Sequence, residues 1–466
     1  MSTSTRHRVV LGLCLAALAA LTWALVCTFT RGGNLHQNGR LLLWYPVDAA
    51  LFAVAVSTLR FVRPALVPVL VLTGTVAVLA TGLLKPPLTS DDSYRYLWDG
   101  RVQAAGISPY AHPPDAPALA GLRAKAPELF PVGTDCKGWD VRRAEAGFCS
   151  HVNRPAVPTI YPPVAEGYFA ALYGLGGKHG VRAAQAGGAL LAFGLCGLLL
   201  WLLPPGRRWQ ASLWGWFPGV VVWAVNDAHV DTLGVLLVVA GLAATARGRL
   251  VGGGALLGAA IATKLIPALA VPGAMSGLLA RRPQARDLIV PVTAVAVCAL
   301  SYVPYVLASG TGVLGYLPGY LKEEGYDSDT PQRFALLRLL VPESLAPVAA
   351  VVVIGLAVLS VLRFGDPQRP WRGALLVFGT ALLALTPAYP WYGLLVVGLV
   401  ALDGRWEWLG VPMAGAAVYL KGGDAQTRAY GLALAVIVAG GAVRILSARR
   451  ATRRSCDPAR PSVLAG

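Results

Sequence analysis

Charge is scarce in this sequence. Asp, Glu, Lys and Arg make up 14% of its 466 residues, against roughly 25% in a soluble globular domain. Acids are the scarcest, 23 against 40 bases. With 56% hydrophobic residues and a mean hydropathy of +0.58, too little polar surface remains to keep a globular fold wet, which excludes a water-soluble enzyme. Apolar windows of about 20 residues recur instead, long enough to cross a hydrocarbon core of ~30 Å. Glycine is plentiful at 53 residues, which suits close helix contacts and broken helices in a bilayer. The fold expected is an all-α polytopic membrane protein. The N-terminal basic segment and apolar run lack a small-residue cleavage site, so a retained first helix is expected rather than a signal peptide. Of seven cysteines, Cys14, Cys27, Cys196 and Cys298 lie in apolar helices, and Cys456 in a basic tail. Cys136 and Cys149 share one polar loop and are expected to form a disulfide if that loop faces an oxidising compartment.

A formal charge of +17 does not point to nucleic acid. Arg60, Arg63, Arg207, Arg208, Arg247, Arg249, Arg281, Arg282, Arg363 and Arg405 sit in short connections at the ends of apolar segments, the positive-inside pattern. Candidate spans are 9–29, 42–59, 64–84, 183–203, 211–227, 230–246, 288–308, 342–362, 373–387, 390–403, 407–420 and 429–447. The stretch 250–280, interrupted by Lys264, Pro267 and Pro272, reads as a hairpin of two short helices, and 162–177 as a helix lying at the outer surface. About 12 to 14 crossings are expected, with both termini cytoplasmic and loops 85–161 and 309–335 outside. The chain then divides into N-terminal transmembrane helices (1–84), a large external loop with juxtamembrane helices (85–182), a transmembrane core (183–308), a second external loop (309–341), C-terminal transmembrane helices (342–447) and a basic cytoplasmic tail (448–466). Eight acids fall in the first loop: Asp91, Asp92, Asp99, Asp115, Glu128, Asp135, Asp140 and Glu145. Function is therefore expected on the outer face.

Several constellations carry chemistry. Ser90 can cap a helix whose first turn holds Asp91 and Asp92, with Arg95, Tyr96 and Asp99 on the side of Asp92. One of the two acids is a candidate general base, although a capped, solvated surface helix with aromatics such as Trp98 in an interfacial belt has the same pattern. Tyr110 and Tyr161, in a proline-stiffened loop, suit sugar platforms or interfacial anchors. His229 and Asp231, between two spans, are ionisable groups at membrane depth and so functional candidates, but too few for a metal site. Lys264 at depth needs an anion such as phosphate, or else snorkels to the interface. The 309–335 loop carries Tyr316, Tyr320, Lys322, Glu323, Glu324, Tyr326, Asp327, Asp329, Gln332 and Arg333, a composition that stacks on and hydrogen-bonds to carbohydrate. Tyr389, Trp391 and Tyr392 stand where one helix stops and the next begins, as a glycosyl-binding edge or an aromatic belt.

Taken together, Asp91-Asp92 with Tyr94 to Arg101, Gly106 to Tyr110, Asn153-Arg154-Pro155 with Ile160 to Pro163, His229-Val230-Asp231, Thr263-Lys264 with Pro267, and Pro390-Trp391-Tyr392 resemble the polyprenyl-phosphate-sugar-dependent glycosyltransferases of the GT-C fold. The likeness is to actinobacterial, GT87-like α-mannosyltransferases that use polyprenol phosphomannose, over about residues 85–395. The resemblance implies a lipid-linked donor, a glycan or glycolipid acceptor, no metal, no cofactor and no nucleotide sugar. It implies that an acid of the first loop is the base: Asp92, followed four residues later by Tyr96, with Asp91 the alternative. Arg95, Tyr96, His229, Asp231, Lys264 and Arg333 are then expected near the donor. Trp98, Asp99, Tyr110, Tyr161, Tyr320, Tyr389, Trp391 and Tyr392 are expected near the substrates. The insertion at 121–150 departs from the family pattern and leaves the acceptor open. Pentose or glucose donors remain alternatives to mannose, and a lipid-linked-substrate transporter is the competing class. Oligomeric state is not legible.

Overall fold

The structure, a computed structural model, describes residues 3–133, 135–177, 180–323 and 333–455. The polar residues Glu324, Tyr326, Asp327, Asp329 and Gln332 of the second loop, and Cys456, lie outside the described residues. The chain is an all-α polytopic membrane protein. Its helices are α1 (Thr3–Arg31), α2 (Leu41–Leu59), α3 (Val67–Thr81), α4 (Asp92–Ala104), α5 (Ala120–Ala124), α6 (Pro163–Gly176), α7 (Gly180–Leu202), α8 (Ser212–Gly215), α9 (Asp231–Ala246), α10 (Leu250–Ile261), α11 (Val271–Ala274), α12 (Ile289–Ser309), α13 (Leu317–Glu323), α14 (Ala346–Phe364), α15 (Pro370–Leu385), α16 (Leu394–Asp403), α17 (Gly410–Lys421) and α18 (Gln426–Ser455). A two-residue antiparallel pair, β1 (Arg142–Arg143) and β2 (Cys149–Ser150), lies in the first loop.

Among the described residues, six helices are long and apolar enough to cross a bilayer alone: Thr5–Arg31, Leu41–Leu59, Gly180–Leu202, Ala285–Val313, Glu343–Phe364 and Gln426–Ser447. Val220–Asn226 and Asp231–Ala246, bent by 113°, make a seventh if they are one span. Five other apolar helices are shorter: Val67–Thr81, Leu250–Ile261, Ile266–Ala280, Pro370–Leu385 and Pro390–Asp403. The 12 to 14 crossings read from hydropathy thus resolve into six full-length helices and a set of short or broken ones. The reason is local. Proline removes an amide donor and ends a helical run, and a hydropathy window does not register that. The window 211–227, read as one span, stops after α8, passes Pro218 and resumes as a π-helical segment, Val220–Asn226.

The broken helices are innermost. Every residue of α16 and of the π-helical segment is buried, within one apolar cluster that also takes in α7, α9 and α15. The outer helices α12, α14 and α18 present apolar side chains outward; Leu307 is 83% exposed and Val351 72%. Exposed apolar surface on this scale is stable only against hydrocarbon.

Two glycines set the contacts that position the loops. At Gly188 on α7 a Cβ would stand 1.9 Å from the Ala224 carbonyl oxygen in the π-helical segment. At Gly100 on α4 it would stand 2.3 Å from the Phe169 carbonyl oxygen of α6. Both helix pairs touch backbone to backbone, as small residues permit. Gly197, on the same helix as Gly188, faces open space. Gly188→Val is therefore expected to destabilise the protein by about 1–3 kcal/mol, the usual cost of overpacking, while Gly197→Val is near neutral. Thermal unfolding of the two variants in detergent checks the difference.

Candidate active site

The segment leading into Asp91 and Asp92 is held by the C-terminal end of the π-helical segment. The Asn226 amide donates to the carbonyl oxygens of Gly82 and Lys85 (both 3.0 Å) and Pro86 (3.2 Å), and its oxygen accepts from the Leu88 amide at 3.1 Å. Asp227 accepts from the backbone amides of Thr89 (3.1 Å) and Ser90 (3.2 Å) and from the Thr89 hydroxyl. The Tyr419 hydroxyl donates to the Thr89 carbonyl at 2.6 Å. Helix α4 starts from this fixed point. Asp91 occupies the N-cap position but makes no side-chain cap bond; the Ser90 hydroxyl accepts from the Asp92 amide instead, at 3.3 Å. Both carboxylates are thereby left for other partners.

Those partners differ. Asp91 is ion-paired with Arg142 and accepts from the Asn153 amide at 3.1 Å. Burial pushes Asp91 above the usual carboxylate range against the pull of Arg142, and the charge of Asp92 adds to the rise. The same Asn153 amide donates to one oxygen of Asp92 at 2.6 Å. The other Asp92 oxygen lies 3.5 Å from His229 Nδ1, whose ring stacks on Trp391 at 3.9 Å between centroids.

Asp91 and Asp92 line a cavity of about 550 Å³ together with Tyr161, Lys264, Tyr320, Tyr389, Trp391 and Tyr392. Residues from five distant stretches of sequence therefore meet in one space. Lys264 does not snorkel: its Nζ lies 2.9 and 2.8 Å from the two oxygens of Asp231 and 4.7 Å from the Tyr392 ring centroid. Arg333 is buried at 3% exposure, and its charge is felt by Tyr320, Tyr389, Tyr392 and Tyr430. The Tyr320 and Tyr392 hydroxyls are 2.5 Å apart. Leu265, Ile266, Leu317, Leu321 and Leu385 complete an apolar side of the cavity. The described non-glycine residues with positive φ, Arg154, Ala228, Phe334 and Thr386, cluster here. Arg154 lines the cavity, Ala228 precedes His229, and Thr386 follows the lining residue Leu385, whose carbonyl accepts from the Phe334 amide. Such backbone strain persists where the surroundings over-determine it, as at functional sites.

Other expected site residues brace this cavity from behind. Arg95 is paired with Asp99 at 2.9 Å and donates to the Val157 carbonyl at 3.2 Å. Trp98 packs edge-on against Phe130 at 4.8 Å. Tyr96 stacks on Phe169 at 4.3 Å and meets Tyr161 at 5.1 Å. Tyr110 donates its hydroxyl to the Tyr161 carbonyl. The buried Glu166 accepts from the Thr159 hydroxyl (2.7 Å) and the Gln103 amide (2.9 Å). Burial pushes Glu166 well above the usual carboxylate range, with the charge of Asp99 adding to it. Tyr96, Tyr110 and Glu166 hold α4 to α6 and fix Tyr161, while Arg95 and Trp98 tie α4 to the loop, and none of the five lines the cavity. Sequence reasoning missed Arg142 and Tyr419, which do line it, and the clasp by Asn226 and Asp227. Asn153 and Arg154 were visible only as part of a motif. Cys136 and Cys149 are disulfide-bonded, with Cα atoms 5.3 Å apart.

Part of the chain is similar to a known family, and that likeness supports a glycosyltransferase of GT-C-like type. The model of glycosyltransferase family 87 matches residues 159–387, which carry His229, Asp231, Lys264 and Arg333 but not the paired acids. No curated protein and no solved structure matches the chain.

The clasp has a local consequence. Replacing Asn226 by Leu strands buried backbone groups, at a cost of about 1–3 kcal/mol for each group left unpaired. Hydrogen–deuterium exchange is expected to speed up over residues 82–90 in Asn226→Leu, with α12 and α14 unchanged.

Proposed function

We propose that the protein is an inverting glycosyltransferase that moves mannose from a polyprenyl-phosphate donor to a glycan or glycolipid acceptor at the outer face of the membrane, with Asp92 as general base. The observation that carries this reading is the cavity itself, where a carboxylate, cations, aromatic rings and an apolar side converge. Asp92 has one oxygen fixed by Asn153 and takes the proton of the acceptor hydroxyl as its oxygen bonds to the anomeric carbon. The bond from that carbon to the phosphate oxygen breaks, and the electron pair leaves with the polyprenyl phosphate. Attack from the face opposite the phosphate inverts the centre. Lys264 and Arg154 line the cavity and suit the charge that grows on the leaving phosphate, with Arg333 behind the tyrosines. Trp391, Tyr392 and Tyr161 suit the sugar, and Leu265, Ile266 and Leu385 the first prenyl units.

Purified protein in lipid nanodiscs is expected to transfer mannose from polyprenyl-phosphate mannose and nothing from a nucleotide sugar. Asp92→Asn keeps size but removes basicity and is expected to lower turnover by roughly 100-fold or more, the range for losing a general base, with donor binding retained. Transfer from a pentose or glucose donor alone would reassign the sugar, and normal turnover in Asp92→Asn would remove Asp92 from the chemistry.

The same reading puts both termini in the cytoplasm and the cavity outside. Val132 in the first loop is 94% exposed, and Arg282 is exposed on a basic connection. A membrane-impermeant thiol reagent added to intact cells is expected to label Val132→Cys and spare Arg282→Cys. The opposite pattern would invert the topology.

A further inference from the structure

The insertion has a small core of its own, in which Leu119, Leu129, Phe130 and Val152 pack against Trp98 of α4. Out of it projects the β1–β2 hairpin, with Arg142 paired to Ser150 and Arg143 to Cys149. The hairpin is pegged to α4 on its far side. Asp140 accepts from the Tyr94 hydroxyl at 3.0 Å and meets His151 Nδ1 at 3.1 Å, and the Tyr94 and His151 rings stack at 4.7 Å. The Cys136–Cys149 disulfide closes the loop that contains Arg142. Every one of these ties converges on the placement of one side chain, and that side chain ends on Asp91.

We propose that Arg142 is a positioning residue, delivered by the disulfide-closed hairpin, whose task is to draw Asp91 away from the acceptor so that Asp92 alone serves as base. This rests on the glycosyl-transfer reading above. Asn153 donates its side-chain amide to both carboxylates, at 3.1 Å to Asp91 and 2.6 Å to Asp92, so it does not by itself single out one of them. Two like charges side by side also favour retention of a proton on one of them. Arg142 sets the two acids apart by giving Asp91 a cation of its own, while Asp92 keeps the shorter bond to Asn153.

The test is a double-mutant cycle in lipid nanodiscs with polyprenyl-phosphate mannose, reading kcat and donor KM for wild type, Arg142→Gln, Asp91→Asn and the double variant. Arg142→Gln is expected to lower kcat about tenfold with donor KM unchanged, and to add less than about twofold in the Asp91→Asn background, because contacting residues are non-additive. Arg142→Lys, which keeps the charge, is expected to recover most of the loss. If Arg142→Gln fails to fold, reducing the disulfide in wild type and in Asp91→Asn supplies the same comparison, with the loss confined to wild type. Equal losses in both backgrounds, or a rise in donor KM with kcat unchanged, would overturn the proposal by making Arg142 a direct substrate ligand. A wild-type protein that transfers no sugar would bring down the functional reading itself, whereas an active wild type with additive losses brings down only the role of Arg142.

Discussion

The grip of Asn226 and Asp227 on residues 82–90 is the contact on which the rest of the site depends. Helices in lipid have no hydrophobic drive to associate, so hydrogen bonds between the helical core and the loop that leaves it carry much of the positioning. Here one amide and one carboxylate engage seven groups of that loop. They reach it because the helix before them is π-wound and breaks, turning the chain by 113° into α9. π-Helical turns are frequent at functional sites for this kind of reason. The break costs regular hydrogen bonds and leaves Ala228 in a left-handed conformation, but it sets His229 beneath Asp92 and Asp231 beside Lys264.

The pairing of Lys264 with Asp231 belongs to the same economy of charge. A cation at depth is costly without a counter-charge, and Asp231, 7% exposed, supplies one. The pair lies at the break between α10 and the segment Ile266–Ala274, where freed backbone and polar groups are tolerated because they face a cavity. In the proposed reaction an arriving phosphate shares Lys264 with Asp231, and Arg154 in the cavity wall adds the positive charge that the pair lacks.

The fold class was legible because apolar composition and basic flanks are properties of whole segments. Asp91, Asp92, Tyr161, Lys264, Tyr320, Tyr389, Trp391 and Tyr392, each singled out from the sequence, share one cavity. The number of full-length helices was not legible, since a break such as the one at Pro218 interrupts a window that remains apolar on both sides. Nor was the fate of Arg95, Trp98 and Asp99. Their spacing on α4 correctly makes Arg95 and Asp99 neighbours, but which face meets the cavity is decided by α6 and by the insertion, 60 or more residues away in the case of α6. Arg142 carried no local signal at all. A single arginine in an irregular stretch gains meaning only from the carboxylate it reaches, fifty-one residues earlier.

That distance explains why the insertion takes the form it does. Outside the bilayer, water competes for every ion pair, and an exposed pair is worth only ~0.2–1 kcal/mol; Arg142 remains 39% exposed. Such a pair cannot by itself hold a loop of this length in place. The loop must be ordered first by other means, so that the guanidinium arrives with its entropy already spent. The apolar cluster around Leu129 and Phe130 supplies part of that order. The Asp140–His151–Tyr94 contacts add a second attachment. The disulfide restricts the unfolded loop, where crosslinks act most strongly. With the loop pre-ordered, a weak ion pair suffices to set two neighbouring carboxylates apart, because Asn153 already bonds Asp92 more closely than Asp91.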